Sequence, residues 1–261
     1  MKSPLMPSYF FAHGAPSIAL EQNAYTDMLK AFSTTIPQPR AIVLFSAHWE
    51  HPIQSISAAE GNYDTIYDFS GFQDELYQMI YPARGDVSIR QQIQSLFAAH
   101  DIPCVLDPHR GLDHGAWAVL KLLYPQADIP VIALSVNRHL TNEQQYRIGQ
   151  ALSKLKEQDV LIIGSGGTVH NLRRVNWRAE QVEDWALSFD TWLEEKLVRW
   201  DLPALFQYHT EAPYAKEAVP TNEHFVPLFL AMGAGDNQRK ATLLHRSYQY
   251  GTLSLSCWQF A

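Results

Sequence analysis

Histidine is the residue type in this chain best suited to chemistry, and its placement says more than its number. Eleven are present. Three follow on from short apolar runs that read as strands: His13 in FFAHGAP, His48 in LFSAHWE and His170 in GSGGTVH. In open α/β sheets the carboxyl ends of the strands face the ligand crevice, so imidazoles delivered to that rim converge although they are far apart in sequence. Two further candidates are His224 in PTNEHFVPLF and His114 in PHRGLDHGAWAVL, both flanked by residues that mark turns and helix starts. Several imidazoles at one point suit a borderline divalent metal such as zinc or ferrous iron. Glu223 adjoins a candidate ligand, but neighbouring side chains diverge on a helix or a strand, so His224 rather than Glu223 is expected to face an ion. Asp113 is the natural N-cap of a helix beginning near His114. A helix amino terminus disfavours imidazolium, so His114 can stay neutral near pH 7 as a base or hydrogen-bond partner.

Other chemistries lack their signatures. No HExxH, GxSxG, GxGxxG or GxxxxGK[ST] occurs. Ile163-Gly164-Ser165-Gly166-Gly167 lacks the first glycine of a nucleophile elbow, and its glycines read as a tight strand-to-loop turn that lets backbone approach the site. His51, His100, His139, His209 and His245 fall on loops, helix flanks or an edge strand and read as exposed or structural. His109 shares a loop with His114 and is open to either reading.

The elements that must position these residues follow from the apolar pattern. Strands are expected at Ser8 to Ala12, Ala41 to Ala47, Cys104 to Leu106, Val131 to Val136 and Val160 to Gly164. Between and after them lie helical patterns. Thr141 and Gln144 can form a capping box for a helix carrying Ile148, Leu152 and Leu155, and a longer helix carries Val182, Trp185, Phe189, Trp192 and Leu193 on its buried side. The stretch from 241 to 260 alternates like two strands joined by a turn around Tyr250 and Gly251. The expected fold is α/β: a single layered domain over 1–261, with a mixed, mostly parallel central sheet, flanking helices and an antiparallel C-terminal edge. Segments 61–75 and 209–223 read as long excursions over one rim, of the kind that build pockets. Trp49, Tyr63, Tyr67, Phe69, Phe72 and Trp117 are candidate walls for a flat ring, with core packing as their default.

Bulk composition narrows the partners. Of 261 residues, 46% are hydrophobic and 18% charged, which suits a globular core. The formal net charge of −7, without any block of Lys and Arg, argues against nucleic acid and against a membrane surface. Cys104 and Cys257 form neither a CxxC nor a finger spacing, so no disulfide framework or thiolate zinc site is expected, and a reducing cytoplasm fits. The start MKSPLMPSYFFAHG has no clean apolar run before a cleavage site, and no segment approaches a membrane span.

Taken together, FFAHGAP, SAHWE, YDFSGF followed by YPARG, GLDHGAW, GSGGTVHNL and PTNEHFVPL resemble the 4,5-DOPA extradiol dioxygenase family. That family belongs to the class III extradiol ring-cleavage dioxygenases, the LigB-like superfamily of the protocatechuate 4,5-dioxygenase β subunit. The motifs run in order from His13 to about Leu228, and their combination is specific where no single one is. The resemblance implies a metal bound by His13, His48 and His224, with His170 beside it as a further ligand or an acid/base residue, and His114 helping to deprotonate or orient substrate. In the wider superfamily the third ligand is a carboxylate, which suits non-haem iron; an all-imidazole site holds zinc readily, so the resemblance leaves both Fe(II) and Zn(II) open.

The implied reaction joins O2 to a catechol-type ring, DOPA-like in substrate, and opens it beside the diol to a muconic semialdehyde. Coordination lowers the phenol pKa so that His170 or His114 can accept the proton. Redox-inert zinc cannot carry the electron flow this reaction needs. Two rivals remain: a zinc hydrolase using His114 or His170 around an activated water, and a non-enzymatic metal-binding module on the same fold.

Overall fold

Apolar runs five to ten residues long build the centre of the molecule, seen in a computed structural model that describes residues 5–179 and 181–261. Lys2, part of the reading of the amino terminus, lies outside the described residues. The elements are β1 (Ser8–Ala12), α1 (Ala24–Phe32), β2 (Ala41–Glu50), β3 (Gln54–Ser57), α2 (Val87–Ala99), β4 (Cys104–Asp107), α3 (His114–Leu123), β5 (Val131–Val136), α4 (Asn142–Ala151) and β6 (Val160–Gly166). There follow α5 (Asp184–Val198), the short α6 (Leu202–Phe206), α7 (Tyr208–Glu211) and α8 (Ala215–Ala218), then α9 (Val226–Ala234), β7 (Ala241–His245), β8 (Tyr248–Gln249), β9 (Leu253–Ser254) and β10 (Cys257–Phe260).

Eight strands form one mixed sheet in the order β4-β3-β5-β2-β6-β1-β10-β7. The inner four, β5, β2, β6 and β1, run parallel. Their residues are almost all buried, because both faces are covered, and so they read as continuous apolar runs rather than alternations. Alternate side chains still choose opposite layers. Tyr9, Phe11, Ile42, Leu44, Leu161 and Ile163 pack toward Leu29 and Phe32 of α1 and Trp117 and Leu120 of α3. Val43, Phe45, Ile132, Leu134 and Ile162 pack the other way, onto Ile93 and Phe97 of α2, Ile148 of α4 and Leu230 of α9. Phe10, Trp258 and Phe260 extend that second layer with Phe189 and Leu193 of α5.

The mixed, mostly parallel sheet with an antiparallel carboxy-terminal edge is as the pattern predicts, with four local differences. First, β2 continues to Glu50, so His48 lies on the strand rather than after it, and the register against β5 slips between Phe45 and Glu50. Second, β3 is an additional strand, antiparallel to β5 and parallel to β4, so antiparallel pairing occurs on both flanks. Its sequence, Gln-Ser-Ile-Ser, is mostly polar yet buried, because Ser55 N–H, Ser57 Oγ and Gln54 Nε2 bond to β5 groups. Third, the carboxy-terminal stretch divides into four strands, not two: β7 and β10 join the main sheet, while β8 and β9 form a separate ribbon closed by Tyr250 and Gly251, both at positive φ. Fourth, Val182 precedes α5 and is exposed, while Leu152 caps the end of α4 and Leu155 lies in the 3-10 turn that follows, both side chains buried.

No helix among the described residues is long and apolar enough to cross a membrane.

Candidate metal centre

The rim at the carboxyl ends of β1, β2 and β6 receives the clustered imidazoles. His13 directly follows β1, and its backbone N–H bonds the carbonyl of Gly166 at the end of β6. His48 sits in the irregular stretch of β2, where extra residues against β5 bend the strand and re-aim its side chain, as bulges do. His224 lies in the turn ahead of α9 and is drawn to the rim by Gly167 N–H, which bonds its carbonyl at 2.9 Å. Gly164 and Gly166 make that approach feasible. A Cβ on Gly166 would stand 2.1 Å from the His224 carbonyl oxygen, and one on Gly164 the same distance from that of Pro227. These glycines belong to β6 itself, not to a tight turn after it; close approach of backbone is their reason.

Three ring nitrogens converge. His48 Nε2 lies 3.0 Å from His13 Nε2 and 3.2 Å from His224 Nε2. The opposite nitrogen of each ring faces an acceptor. Ser165 Oγ donates to the Gly115 carbonyl and so must accept from His13 Nδ1–H at 3.1 Å. Asp68 Oδ2 accepts from His48 Nδ1–H at 3.2 Å, and Glu223 Oε1 from His224 Nδ1–H at 3.1 Å. With a proton fixed on every Nδ1, the Nε2 lone pairs of His13 and His224 both face that of His48. Three facing lone pairs repel unless a cation lies between them. Metal–nitrogen bonds of about 2.1 Å would set neighbouring nitrogens about 3.0–3.4 Å apart, at right-angled to tetrahedral geometry. The residues present therefore fit a divalent metal.

Electrostatics agree with neutral rings. Burial, reinforced by the neighbouring imidazoles, lowers the His13 pKa well below its ordinary value. Burial also pushes His224 down to about 4, against the pull of Glu223. His170 falls to about 2 and His114 is also lowered, burial leading in both. Burial alone would raise Asp68, but hydrogen bonds from His114 and His48 hold it well below the carboxylate range. Glu223 sits at about 2, its burial outweighed by His224 and other hydrogen-bond donors.

His114 opens α3 behind its cap Asp113, whose side chain accepts from Ala116 N–H. Its ring centroid is 4.0 Å from that of His48, and its Nδ1 bonds Asp68 Oδ1 at 2.9 Å. His170 is held by a bond from its N–H to the Ala218 carbonyl, and its ring lies flat on His224, centroids 3.6 Å apart and planes within 8°. Together these rings floor a pocket of about 430 Å³ walled by Phe69, Phe72, Leu172, Trp177 and Tyr250. Of the aromatic residues proposed as walls, only Phe69 and Phe72 line it; Trp117 and Tyr63 are core, as their default reading held, and Trp49 is buried. His51, His100, His109, His139, His209 and His245 do not line it. A larger cleft of about 640 Å³ beside Ile102, Leu140 and Arg147 shares no residue with it.

Three residues of the site were not assigned a role from sequence. Asp68 and Ser165 carry no signal of their own beyond lying within motifs beside the histidines. Trp177 stands on the segment after His170, 70% exposed at the pocket mouth and 4.4 Å from the Tyr250 ring.

Comparison with known proteins places this geometry. Residues 8–260 match the family described as the catalytic LigB subunit of aromatic ring-opening dioxygenase. Proteins named 4,5-DOPA dioxygenase extradiol from Beta vulgaris and from Escherichia coli K12 are 42% and 36% identical, covering 97% and 98% of this chain and 96% and 94% of the relative. A crystal structure of an E. coli K12 protein described as uncharacterized superposes with a TM-score of 0.83 at 32% identity, covering 98% of this chain and 100% of that one. Of the three readings open at the sequence, these matches support the ring-cleaving oxidoreductase over the hydrolase and the binding module. The chain belongs to the LigB family of aromatic ring-opening dioxygenases.

Proposed function

We propose that this enzyme cleaves a catechol-type ring, DOPA-like in substrate, next to its diol with O2, giving a muconic semialdehyde at a ferrous ion held by His13, His48 and His224. The observation that carries the reading is the convergence of three Nε2 lone pairs beneath a pocket that also holds two uncommitted imidazole faces. Bound there, ferrous iron would supply open positions for catechol and dioxygen and the electron relay between them.

The chain's own residues handle protons and position. Asp68 keeps the His114 proton on Nδ1, so His114 Nε2 is free to accept the phenolic proton of an entering catechol. His170 lies parallel to His224, and in-plane lone pairs of parallel stacked rings do not meet at one ion. That favours His170 as a proton-handling residue over a fourth ligand. Phe69 and Phe72 offer apolar faces to the substrate ring and keep water from it. The relatives named 4,5-DOPA dioxygenase extradiol support a substituted catechol as substrate.

Oxygen uptake on anaerobically iron-loaded protein, offered a panel of catechols including DOPA, tests this directly. Uptake with a yellow product is expected with iron and none with zinc. Silence across the panel, with the iron shown to be bound and ferrous, would return the hydrolase or the binding module as the better reading. Alanine at His13, His48 or His224 is expected to strip the metal.

A further inference from the structure

Asp68 occupies a position that neither a ligand role nor a structural turn accounts for. It lies on segment 61–72, which lacks regular structure yet is pinned along its length. Ile66 N–H bonds the Leu112 carbonyl, Leu112 N–H bonds the Asp64 carbonyl, and Trp117 Nε1 bonds the Ile66 carbonyl, which ties the segment to α3 and the turn before it. A Cβ on Gly111 would lie 2.2 Å from the Asp64 carbonyl oxygen, so the two backbones are in direct contact. The segment thus delivers Asp68 to a fixed place, with its side chain 23% exposed at the edge of the pocket.

There its two oxygens are divided between two rings. Oδ2 takes His48 Nδ1–H at 3.2 Å; Oδ1 takes both His114 Nδ1–H at 2.9 Å and His114 backbone N–H at 3.0 Å. Resting on the ligand and base roles proposed above, we propose that Asp68 is the positioning residue that sets both at once: one carboxylate holds His48 as an Nε2 metal ligand and His114 as an Nε2 proton acceptor. Because a carboxylate has no proton to give, it admits only one tautomer in each ring. An amide does not. Its oxygen can serve one ring, while its NH2 faces the other as a donor, and that ring must turn its proton toward the pocket or the ion. Asp68→Asn therefore damages one function or both without removing any ring from the site.

The test pairs Asp68→Asn with Tyr67→Phe, which cuts the Tyr67 hydroxyl bond to the Met79 carbonyl in the same segment but leaves the carboxylate in place. Zinc and cobalt affinities are measured by chelator competition, and the His48 and His114 tautomers by long-range proton–nitrogen NMR of the metal-free protein. In the parent both rings are expected as Nδ1–H. In Asp68→Asn at least one ring should change tautomer, metal affinity should fall by about 10- to 100-fold, and kcat at saturating iron should fall with KM little changed. Tyr67→Phe should keep parental tautomers and affinity. Parental tautomers and affinity in Asp68→Asn would overturn the proposal, and so would an equal loss in Tyr67→Phe, which would assign the effect to segment packing. The NMR and affinity arms do not depend on turnover, so a parent that binds metal but consumes no oxygen defeats the dioxygenase reading and leaves this one standing or falling by itself.

Discussion

At the scale of single residues, the proposed metal centre is defined less by the three nitrogens that face inward than by the three acceptors behind them. Ser165, Asp68 and Glu223 each hold one Nδ1–H, and each reaches its ring from a different direction in the chain: from β6, from the 61–72 segment and from the preceding residue. Ser165 is the most exposing test of this arrangement, because it is fully buried and, among the described residues, its hydroxyl bonds only to His13 and the Gly115 carbonyl. Ser165→Ala leaves His13 Nδ1–H without an acceptor, and such losses behind a ligand cost about tenfold in metal affinity or more. Titration of the variant with zinc against a chelator should show that loss with an unchanged fold by circular dichroism; parental affinity would mean that the His13 ring needs no help from the hydroxyl. His13, His48 and His170 were legible because they follow apolar runs, and His114 and His224 because turn and helix-start residues flank them. Asp68 and Ser165 were not, since the partner of each is fixed only by long-range folding: His114 is 46 positions from Asp68, and Ser165 is 152 from His13.

At the scale of elements, legibility followed burial. Largely apolar runs, β1, β5 and the start of β2 and β6, could be bounded closely from sequence, since full burial on both faces removes ambiguity about period. The element that escaped, β3, is built of Gln and Ser side chains whose burial is compensated by bonds to β5, a compensation that no local pattern announces. The carboxy-terminal strands were read as continuous because their alternation is continuous, whereas β8 and β9 turn away from the main sheet into a separate ribbon. The glycines of β6 show how an element serves the site: they admit the backbone of His224 and Pro227 against the strand. Gly166→Ala would push the His224 carbonyl away from a Cβ that cannot stand 2.1 Å from it. Metal content after purification should drop well below parental, with the secondary structure retained. Full occupancy in Gly166→Ala would show that the turn bearing His224 can yield without loss.

For the molecule as a whole, one buried cation offers a stability test remote from the centre. Lys156 is 1% exposed and donates from Nζ to the Ala234 carbonyl at the end of α9, with no carboxylate partner among the described residues. Burial lowers its pKa from the ordinary 10.5 to about 8. The folded chain therefore binds fewer protons than the unfolded chain between those values, so this residue makes stability rise as pH climbs from about 8 to about 10.5. Below about 8 the penalty of holding the charge inside is felt in full. Lys156→Met should stabilise the protein at pH 7 by about 1–3 kcal/mol and flatten that alkaline rise; chemical denaturation at pH 7 and pH 9.5 measures both. A variant less stable at pH 7 would give the Ala234 bond more weight than the cost of the charge.

The seat of β1 bears on how the molecule comes into being. This strand is clasped between β6 and β10, so Ser8 meets Phe260, 252 positions away, and His13 meets Ser165, 152 away. Closing loops of that span is slow, and pairings that need it are among the last to settle. His13 thus reaches its companions only when the sheet is complete. A half-made chain lacks one of the three proposed ligands, so the complete three-imidazole site forms only with the finished sheet.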